Sequence, residues 1–524
     1  SFSSVVSSRG DNLALETMSQ TLSYASLDRQ SDQLAEYLLS TGLESNQIVG
    51  ICSRPNCEMI VAIIAVIKAG GTFLPLDPDY PAERLNFMLS DSGCKVCLCE
   101  THGLAGEADF HDDDSIRTVL LSSDAPWRKI NAKPISQANP DLQGDAAYMI
   151  YTSGSTGTPK GVLLHHSGLH NMVSAQIAAF GIAPESKVLQ VAAFSFDAAI
   201  SEIFTALCSG ACLVLAPRDQ IMPGAALADA LVTFKISHIT LTPSSLSLLP
   251  HSEYPDLTTL VVAGEPCSSE LANRWSPTVR LINAYGPTET TVCATLGEVV
   301  SNGLAPDVGK PLANMQCHIL NAQMKRCAVG EPGELYISGV GLAIGYHNRH
   351  TLNDERFLHI PLDEESDTTL CYRSGDLASW RPNGRIDVSG RSDRQVKVRG
   401  FRIEVSEVEE ALLQHPSISQ AAVVAQGENF NRRLVAYVCY EDTSVEHDAQ
   451  IVSQFLAKKK PQYLVPDLIV RIGSMPLSPA GKTDYQALTH LQSTINRQEY
   501  IPPRDTTELA LVHIWEQLLE QSPI

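Results

Sequence analysis

The first 390 residues of the chain alternate between helical and strand patterns, and this alternation limits the folds open to it. A helix pattern (CEMIVAIIAVIKAG) precedes a strand pattern (GTFLPLD), and the same order returns with PAERLNFMLSDSG and CKVCLCE. Strands that alternate with helices pair in parallel, with helices on the faces of the sheet. The sequence therefore predicts an α/β fold with a large N-terminal domain of helix-covered sheets.

The pattern changes near Ser392–Asp393, where a smaller α+β domain is predicted to begin. The stretch GRIDVSGRSDRQVKVRG is rich in Gly, Arg and Asp, and the helix SEVEEALLQHP and the strands QAAVVAQ and RLVAYVCY follow it. A chain of 524 residues is too long for one core, which agrees with this division. We expect an N-terminal core at 1–391, a C-terminal subdomain at 392–490, and at 491–524 a Pro-Pro linker followed by an amphipathic helix.

Charge and cysteine content restrict the partners and the compartment. The net charge of −21 disfavours binding to nucleic acid and anionic membranes. The longest apolar run, Met59–Ile67, is shorter than the ~20 residues that span a bilayer, and no signal peptide opens the chain. We therefore expect a cytoplasmic protein. Cys94, Cys97 and Cys99 fit a metal half-site or a buried strand, and the strand is favoured because no second Cys/His cluster follows.

A loop rich in glycine and hydroxyl residues, YTSGSTGTPKG, follows the strand pattern AAYMIYT and precedes the helix pattern HSGLHNMVSAQIAAF. Glycines let backbone N–H groups approach a ligand closely, and the hydroxyls and Lys160 add donors and a positive charge. Such a loop suits a polyphosphate, although solvent-exposed turns have a similar composition. It is not a Walker A loop, because Lys160 is followed by Gly.

This loop belongs to an ordered set of motifs that spans about residues 10 to 490. The others include IKAGGTFLPLD, FSFDAAISEIF, NAYGPTETT, YRSGDL, GRSDRQVKVRGFRIEVSEVE and PLSPAGKTDYQAL. The set resembles the adenylate-forming superfamily and, within it, the amino-acid adenylation domains of nonribosomal peptide synthetases, including fungal-type siderophore synthetases. The resemblance implies the adenylate-forming fold with a small mobile C-terminal domain. It also implies that a carboxylate is activated with ATP and passed to the phosphopantetheine thiol of a carrier domain.

The resemblance assigns the nucleotide site residue by residue. Tyr285 would stack on adenine, and Asp376 would accept both ribose hydroxyls, with a helix or turn cap as its alternative role. Thr288 would bond the α-phosphate, and Glu289 would bind Mg²⁺. The full ATP-binding set implied is Thr152, Ser153, Gly154, Ser155, Thr156, Gly157, Lys160, Gly264, Glu265, Pro266, Asn283, Tyr285, Gly286, Asp376 and Arg391.

The resemblance also implies a moving lysine. Lys482 would bridge the substrate carboxylate and the α-phosphate, whereas outside its motif it would pass for a surface lysine. Asp393 lies at the hinge of the family, and rotation there would withdraw Lys482 and bring the face around Lys397 and Gly400 forward. The sequence departs from the family motifs at three positions, whose effects are left open: Ile344, Ala480 and Tyr485.

The substrate pocket carried over from the family has a charged group at each end and small side chains between them. Asp197 would pair with an α-ammonium group, with a helix N-cap as the alternative. The set is Asp197, Ala198, Ser201, Thr240, Val261, Ala263, Ala284, Val292, Cys293 and Lys482. Small residues predict a wide pocket, and the absence of a second acid predicts a neutral substrate side chain. A bulky amino acid such as N5-acyl-N5-hydroxyornithine fits this description.

Two other functions were weighed. An acyl- or aryl-CoA ligase of the same superfamily is disfavoured by Asp197 and by the C-terminal helix, which resembles the start of a carrier domain. An inactive nucleotide-binding module is disfavoured by Lys482, Glu289 and Asp376. The expected partners are a downstream peptidyl carrier domain and a neighbouring condensation domain, and we expect the chain itself to be a monomer.

Overall fold

The computed structural model describes residues 1–100, 116–132, 135, 145–154, 157–301, 303–362, 368–427, 431–441, 448–478, 482–491 and 503–519. Its helices are α1 (Phe2–Arg9), α2 (Tyr24–Ser40), α3 (Cys57–Lys68), α4 (Ala82–Ser92), α5 (His166–Phe180), α6 (Asp197–Ser209), α7 (Ala225–Thr233), α8 (Pro243–Leu248), α9 (Ser269–Trp275), α10 (His350–Arg356), α11 (Val405–Leu413), α12 (Ala449–Lys459), α13 (Tyr485–His490) and α14 (Thr506–Leu519). The patterns that predicted α3, α4 and α5 lie on these helices.

Two large sheets form the N-terminal part of the described chain. The strands of the first are β1 (Leu13–Glu16), β2 (Thr21–Ser23), β9 (Lys187–Gln190), β10 (Cys212–Leu215), β11 (His238–Leu241), β12 (Thr259–Ala263), β13 (Arg280–Tyr285), β14 (Thr295–Glu298) and β15 (Lys310–Pro311), in the order β15-β14-β13-β12-β11-β9-β10-β1-β2. The second contains β3 (Ile48–Cys52), β4 (Thr72–Leu76), β5 (Val96–Cys99), β6 (Arg117–Leu120), β7 (Ala146–Thr152), β8 (Lys160–His165) and β18 (Gly345–Tyr346), in the order β18-β8-β7-β4-β3-β5-β6.

The interior strands of both sheets are parallel, and antiparallel strands lie at the edges. In the first sheet β1, β10, β9, β11, β12 and β13 pair in parallel, and β2 and β14 are antiparallel. In the second sheet β3, β4, β5, β6 and β7 pair in parallel, and β8 is antiparallel to β7. This arrangement confirms the α/β fold class predicted from the alternating patterns.

The remaining strands form three smaller sheets. A sheet at the end of the N-terminal part contains β16 (Met315–Leu320), β17 (Gly333–Gly339), β19 (Phe357–Ile360), β20 (Thr369–Trp380) and β21 (Ile386–Arg391). After it come the hairpin β22 (Val396–Val398) and β23 (Phe401–Ile403), and the sheet β24 (Ile418–Gln426), β25 (Arg433–Tyr440) and β26 (Leu468–Arg471). We call residues 392–490 the small domain, and the boundary at 391/392 stays a prediction.

Helix α3 illustrates how the sequence builds the core. Asn56 caps its first turn by accepting a hydrogen bond from the backbone N–H of Met59 at 2.7 Å. Its side chains are buried on nearly all sides, so the helix lies inside the main apolar cluster. Its last residue, Lys68, is also buried, and its ammonium group is paired with Asp28 at 2.6 Å and Asp32 at 2.7 Å. Burial of an unpaired ammonium group is unfavourable, and the two carboxylates compensate the charge of Lys68.

The apolar core joins the two large sheets. Its main cluster includes Phe73 and Tyr148 from the second sheet, Leu213 and Ile282 from the first, and Ile203 from α6. The small domain has its own cluster around α11, α12 and β25. Helix α6 therefore lies in the core and carries Asp197 at its first turn.

Two predictions about metal and membrane can be compared with the described residues. Cys97 and Cys99 lie on the buried strand β5, and Cys94 is a buried free thiol close to it, so the strand interpretation is confirmed. Within the ranges given above, the structure contains no group of three or more His, Cys, Asp or Glu side chains placed to hold a metal ion. In those same ranges, every helix is too short or too polar to cross a membrane.

Candidate active site

A cavity of about 1840 Å³ opens where the ends of β12 and β13 face the hairpin β22–β23 of the small domain. Strand ends of a parallel sheet are the usual place for ligand binding in α/β folds. The cavity brings together many predicted site residues, namely Asp197, Ala198, Ser201, Thr240, Val261, Ala263, Gly264, Glu265, Pro266, Asn283, Ala284, Tyr285, Gly286, Val292, Cys293, Asp376, Arg391, Asp393 and Lys397. Many of the predicted site residues thus meet at one place in the fold, whereas the described residues of the glycine loop, Thr288 and Glu289 are absent from the cavity wall.

The glycine loop connects β7 to β8 and contacts the small domain in this structure. The Ser153 hydroxyl donates to the carbonyl of Arg402 at 2.8 Å and accepts from the N–H of Glu404 at 3.1 Å. A Cβ at Gly154 would lie 1.8 Å from the Thr158 carbonyl oxygen, so this turn requires glycine. The predicted ligands Ser155 and Thr156 lie outside the described residues.

A carboxylate from the small domain reaches into the same loop. The backbone N–H of Gly154 donates to Glu407 at 3.3 Å, and the buried Glu407 is paired with Arg84 at 3.0 Å and Lys460 at 2.9 Å. Lys460 also donates to the carbonyl of Gly157 at 3.3 Å. In this arrangement the loop therefore binds a carboxylate of its own chain, through a backbone N–H of the kind predicted to bind phosphate.

The predicted magnesium ligand, Glu289, lies in a buried cluster of charged and polar groups. Arg402 donates to it at 2.6 Å, Tyr346 donates at 2.7 Å, and the Lys160 ammonium lies 3.6 Å away. Burial opposes ionisation of Glu289, but the nearby cations Arg402 and Lys160 outweigh it and hold the pKa well below the usual range. Burial lowers the pKa of Lys160 to about 8, although Glu289 opposes this shift. Glu289 is therefore an anion at neutral pH.

The predicted ribose ligand, Asp376, is fixed on strand β20. It accepts a 2.7 Å hydrogen bond from Arg391, and the Tyr285 hydroxyl also donates to it. Arg391 in turn is held by the predicted hinge residue, Asp393, at 2.7 and 2.8 Å. The adenine, ribose and hinge predictions thus fall on one connected hydrogen-bond network.

The predicted ammonium anchor, Asp197, is the first residue of α6 and lines the cavity. The N-cap position is Phe196 and no side chain caps the helix, so the alternative role of Asp197 as N-cap is not observed. Burial raises the pKa of Asp197 to about 6, while a hydrogen bond from Thr288 opposes the rise. Asp197 therefore supplies an enclosed anion above about pH 6.

The structure does not bring Lys482 to the cavity. Among the described residues, Lys482 is exposed and is absent from the cavity wall, so nine of the ten predicted pocket residues meet there without it. Lys397 does line the cavity, with its ammonium 5.4 Å from the centre of the Tyr285 ring, and burial lowers its pKa. The assignment of Lys482 to the pocket is not met in this arrangement, and it remains a prediction for another arrangement of the small domain.

Two glycines allow the small domain to approach this closely. The N–H of Gly400 donates to Glu265 at 2.5 Å, and a Cβ built on Gly400 would lie 2.4 Å from Cγ2 of Thr242. A Cβ on Gly264 would lie 3.6 Å from Gly400. The face around Lys397 and Gly400 therefore lies against the cavity, as the hinge prediction requires of one of its two arrangements.

Of the three departures from the family motifs, two can be located. The guanidinium carbon of Arg394 lies 3.4 Å from the centre of the Tyr485 ring. Ile344 is partly exposed at the edge of the second sheet. Ala480 lies outside the described residues. The Tyr485 contact shows that this tyrosine packs within the small domain.

One sequence expectation is wrong. A second acid does line the cavity: Glu202, on α6, accepts hydrogen bonds from the backbone N–H groups of Val191 and Ala192 at 3.1 Å and from Gln190 at 3.2 Å. Burial raises the pKa of Glu202 to about 8, so it is neutral at pH 7. The neutral substrate side chain stays a prediction, because other acids, including Asp219 and Glu265, also line the cavity.

Sequence reasoning also missed Arg402, Glu407 and Tyr346. Arg402 and Glu407 lie within the quoted motif GRSDRQVKVRGFRIEVSEVE, and this was the signal available for them. Their contacts to Glu289 and Gly154 join positions far apart in the chain, and no local pattern indicates such a pairing.

The residues present fit a nucleotide and a divalent cation. Besides Gly154, Gly286 has no room for a side chain, since a Cβ there would lie 2.6 Å from the backbone of Cys293. The hydroxyl of Thr152 is buried without a hydrogen-bond partner among the described residues, so a donor or acceptor is available beside the loop. Glu289 offers the ionised oxygen ligand that Mg²⁺ prefers, once Arg402 withdraws.

Comparison with known proteins agrees with this geometry. Residues 2–347 match the family described as AMP-binding enzyme, and residues 407–482 match its C-terminal domain. The chain therefore belongs to the AMP-binding enzyme family.

Relatives within that family give a narrower class. Bacitracin synthase 3 of Bacillus licheniformis is 40% identical over 97% of this chain and 8% of its own length, and tyrocidine synthase 1 of Brevibacillus parabrevis is 37% identical over 97% and 46%. The chain thus spans less than half the length of these relatives. An artificially fused adenylation–PCP di-domain, NpsA-ThdA from Klebsiella oxytoca, superposes with a TM-score of 0.77 at 26% identity, over 90% of this chain and 93% of that one.

These findings confirm three of the predictions. The fold is the adenylate-forming α/β fold with a large and a small domain. The chain is an adenylation domain of the nonribosomal peptide synthetase type, and its class is that of ATP-dependent amino-acid adenylating ligases.

Proposed function

We propose that this chain activates one amino acid and loads it onto a carrier domain. The amino-acid carboxylate attacks the α-phosphate of ATP, which forms aminoacyl-AMP and releases pyrophosphate. The phosphopantetheine thiol of the carrier then attacks the acyl carbon and releases AMP. The observation that carries the proposal is that Asp197, the anion for the ammonium group, shares one cavity with Asp376 and Tyr285 of the nucleotide site.

In the first step the side chains of the chain position reactants and stabilise charge. Asp197 binds the α-ammonium group, Asp376 accepts the ribose hydroxyls, and Thr288 donates to the α-phosphate. Bound Mg²⁺, held by Glu289, would neutralise charge on the phosphates. Lys482 enters by rotation of the small domain about Asp393 and bridges the carboxylate and the α-phosphate.

In the second step the small domain takes the arrangement described above. Lys482 lies away from the cavity, and the face around Lys397 and Gly400 lies against it. Glu407 holds the glycine loop through Gly154, a contact that would compete with bound pyrophosphate. This arrangement therefore suits the step after pyrophosphate has left.

The proposed substrate is a bulky amino acid with a neutral side chain, such as an N5-acyl-N5-hydroxyornithine of siderophore biosynthesis. The pocket wall between Asp197 and the core consists of small side chains, including Ala198, Ala263 and Ala284. Glu202 is neutral at pH 7, so it supplies no counter-ion for a cationic side chain. Both features support a long, uncharged side chain.

The proposed partners are the carrier domain that follows and a condensation domain in the same long chain, with the excised domain a cytoplasmic monomer. A similar solved protein supports the carrier, since NpsA-ThdA is an artificial fusion of an adenylation domain with a PCP. The helix α14 leaves Leu509, Leu511, Ile514 and Trp515 partly exposed, as expected for a helix that belongs to a following domain.

The test is ATP–pyrophosphate exchange across a panel of amino acids, each at matched ATP and Mg²⁺ concentrations. We expect strong exchange with N5-acyl-N5-hydroxyornithines, weak exchange with leucine and phenylalanine, and loss of exchange on chelation of Mg²⁺. Turnover of a fatty or aryl acid with free CoA and without a carrier would instead establish a CoA ligase. No exchange with any amino acid would favour an inactive nucleotide-binding module.

A further inference from the structure

A buried polar group on α5 lies in the cavity wall beside the predicted pocket residues. Gln176 lines the cavity together with Ser201 and Cys293, and all three side chains are almost completely buried in the protein. Gln176 was not among the pocket residues predicted from sequence. It lies on the helix that packs against α6, the helix of Asp197.

Gln176 contacts one of the predicted lining residues. The Ser201 hydroxyl donates to its carboxamide oxygen at 2.6 Å. This contact uses one acceptor position, and a carboxamide offers two acceptor and two donor positions. The carboxamide of Gln176 is therefore held in a fixed orientation and keeps the capacity to pair with a ligand.

Burial of a side-chain carboxamide in a protein requires hydrogen-bond partners. A carboxamide taken from water into an apolar wall costs free energy unless its positions are filled. The chemistry of adenylation takes place at the carboxylate of the substrate and does not require a polar group in the side-chain pocket. A polar group of the substrate side chain would therefore fill the remaining hydrogen-bonding positions of Gln176.

We propose, on the basis of the proposed function, that Gln176 determines specificity by pairing with an N-hydroxy-amide in the substrate side chain. An N-hydroxy-amide carries a carbonyl acceptor and an O–H donor on adjacent atoms. A carboxamide presents the complementary pair, a donor N–H and an acceptor oxygen, so the two groups form two hydrogen bonds. The hydrogen bond from Ser201 fixes the orientation of Gln176 for this contact.

The experiment compares two substrates on three proteins. The substrates are an N5-acyl-N5-hydroxyornithine and the matching N5-acylornithine, which lacks the hydroxyl. The proteins are the natural chain, Gln176→Met and the control Gln33→Met, each measured by ATP–pyrophosphate exchange. Gln33 also lies on a helix, but it donates to the carbonyls of Arg128 and Ile130 and lies outside the cavity wall.

The natural protein is expected to favour the hydroxylated substrate by about 10- to 100-fold in kcat/KM, because a site built to bond a hydroxyl rejects the analogue without it. Gln176→Met should remove most of this preference, because kcat/KM should fall further for the hydroxylated substrate, which loses two hydrogen bonds, than for the N5-acylornithine, which loses only the bond to its carbonyl. Gln33→Met should keep the preference. Equal loss for both substrates in Gln176→Met would overturn the inference and leave the proposed function intact. Exchange by the natural protein with other amino acids but neither ornithine would overturn both the proposed substrate and this inference.

Discussion

Arg402 of the small domain donates to the carboxylate of Glu289 in the large domain at 2.6 Å, and the pair is buried. Glu289 is the predicted magnesium ligand, so one carboxylate has two partners that exclude each other. While Arg402 binds it, a cation cannot take the same oxygen. On the proposed function, the position of the small domain would determine whether Glu289 binds Arg402 or a metal ion.

Arg402→Ala is expected to slow loading of the carrier about tenfold or more, because a buried ion pair that stabilises this arrangement is broken. Pyrophosphate exchange should change by less than about threefold, since Arg402 is not assigned a role in adenylation. Radiolabelled amino-acid transfer to holo-carrier measures the first quantity. The control is Arg280→Ala, which removes an exposed pair with Glu298 outside the cavity wall and should leave both rates near those of the natural protein.

Lys482→Ala is expected to slow pyrophosphate exchange by about 100-fold or more, because a charge placed on the α-phosphate is lost. Transfer from preformed aminoacyl-AMP should stay within about twofold, since Lys482 is exposed and outside the cavity in this arrangement. Single-turnover kinetics separate the two half-reactions. The exposed Lys458→Ala serves as control, and equal losses in both half-reactions of Lys482→Ala would contradict a two-arrangement mechanism.

The binding of the amino acid is expected to weaken below about pH 6. Burial raises the pKa of Asp197 to about 6, and only the ionised form pairs with an ammonium group. As pH falls through this value the carboxyl is protonated, so kcat/KM for the amino acid should fall about tenfold per pH unit. Glu289 stays ionised in this range because its pKa is held well below the usual value.

Asp197→Asn provides the check on that assignment. This variant should bind the amino acid weakly at every pH and lose the fall in kcat/KM below pH 6. The KM for ATP should change little, because Asp197 is not assigned to the nucleotide. A pH profile in Asp197→Asn that still falls below pH 6 would assign the titration to another group.

Gly400→Ala is expected to block the loading step. The added Cβ would lie 2.4 Å from Cγ2 of Thr242, and Gly400 has a backbone φ of +82°, which L side chains adopt at a cost. Pyrophosphate exchange should continue, since the clash arises only where the small domain meets Thr242. Thioester formation measured beside exchange shows the difference.

A second substitution tests the cause of that block. Thr242→Ser removes Cγ2 and keeps the hydroxyl that caps α8. Combined with Gly400→Ala, it should restore part of the loading rate, whereas Thr242→Ser alone should behave like the natural protein. Failure of the double variant to recover would assign the loss to backbone strain rather than to the clash.

Much of the fold could be read from local patterns. The helix patterns of α3, α4 and α5 and the strand patterns of β4, β5 and β7 fell on the elements observed, because burial of one face imposes a periodicity on the sequence. The nucleotide residues were found because they stand in short motifs with fixed spacing. Glu202 was missed as a wall residue because its position on α6 gives no sign that its carboxyl faces a cavity.

The sequence by itself determined the fold class, the motifs and many of the site residues that meet in the cavity. Only the tertiary structure decided that Lys482 lies outside and that Arg402 and Glu407 contact Glu289 and the glycine loop. It also decided that Gln176 joins the pocket wall. The reason is physical: periodicity and motif spacing describe neighbours along the chain, whereas the packing of two domains depends on charge and shape at surfaces far apart in sequence.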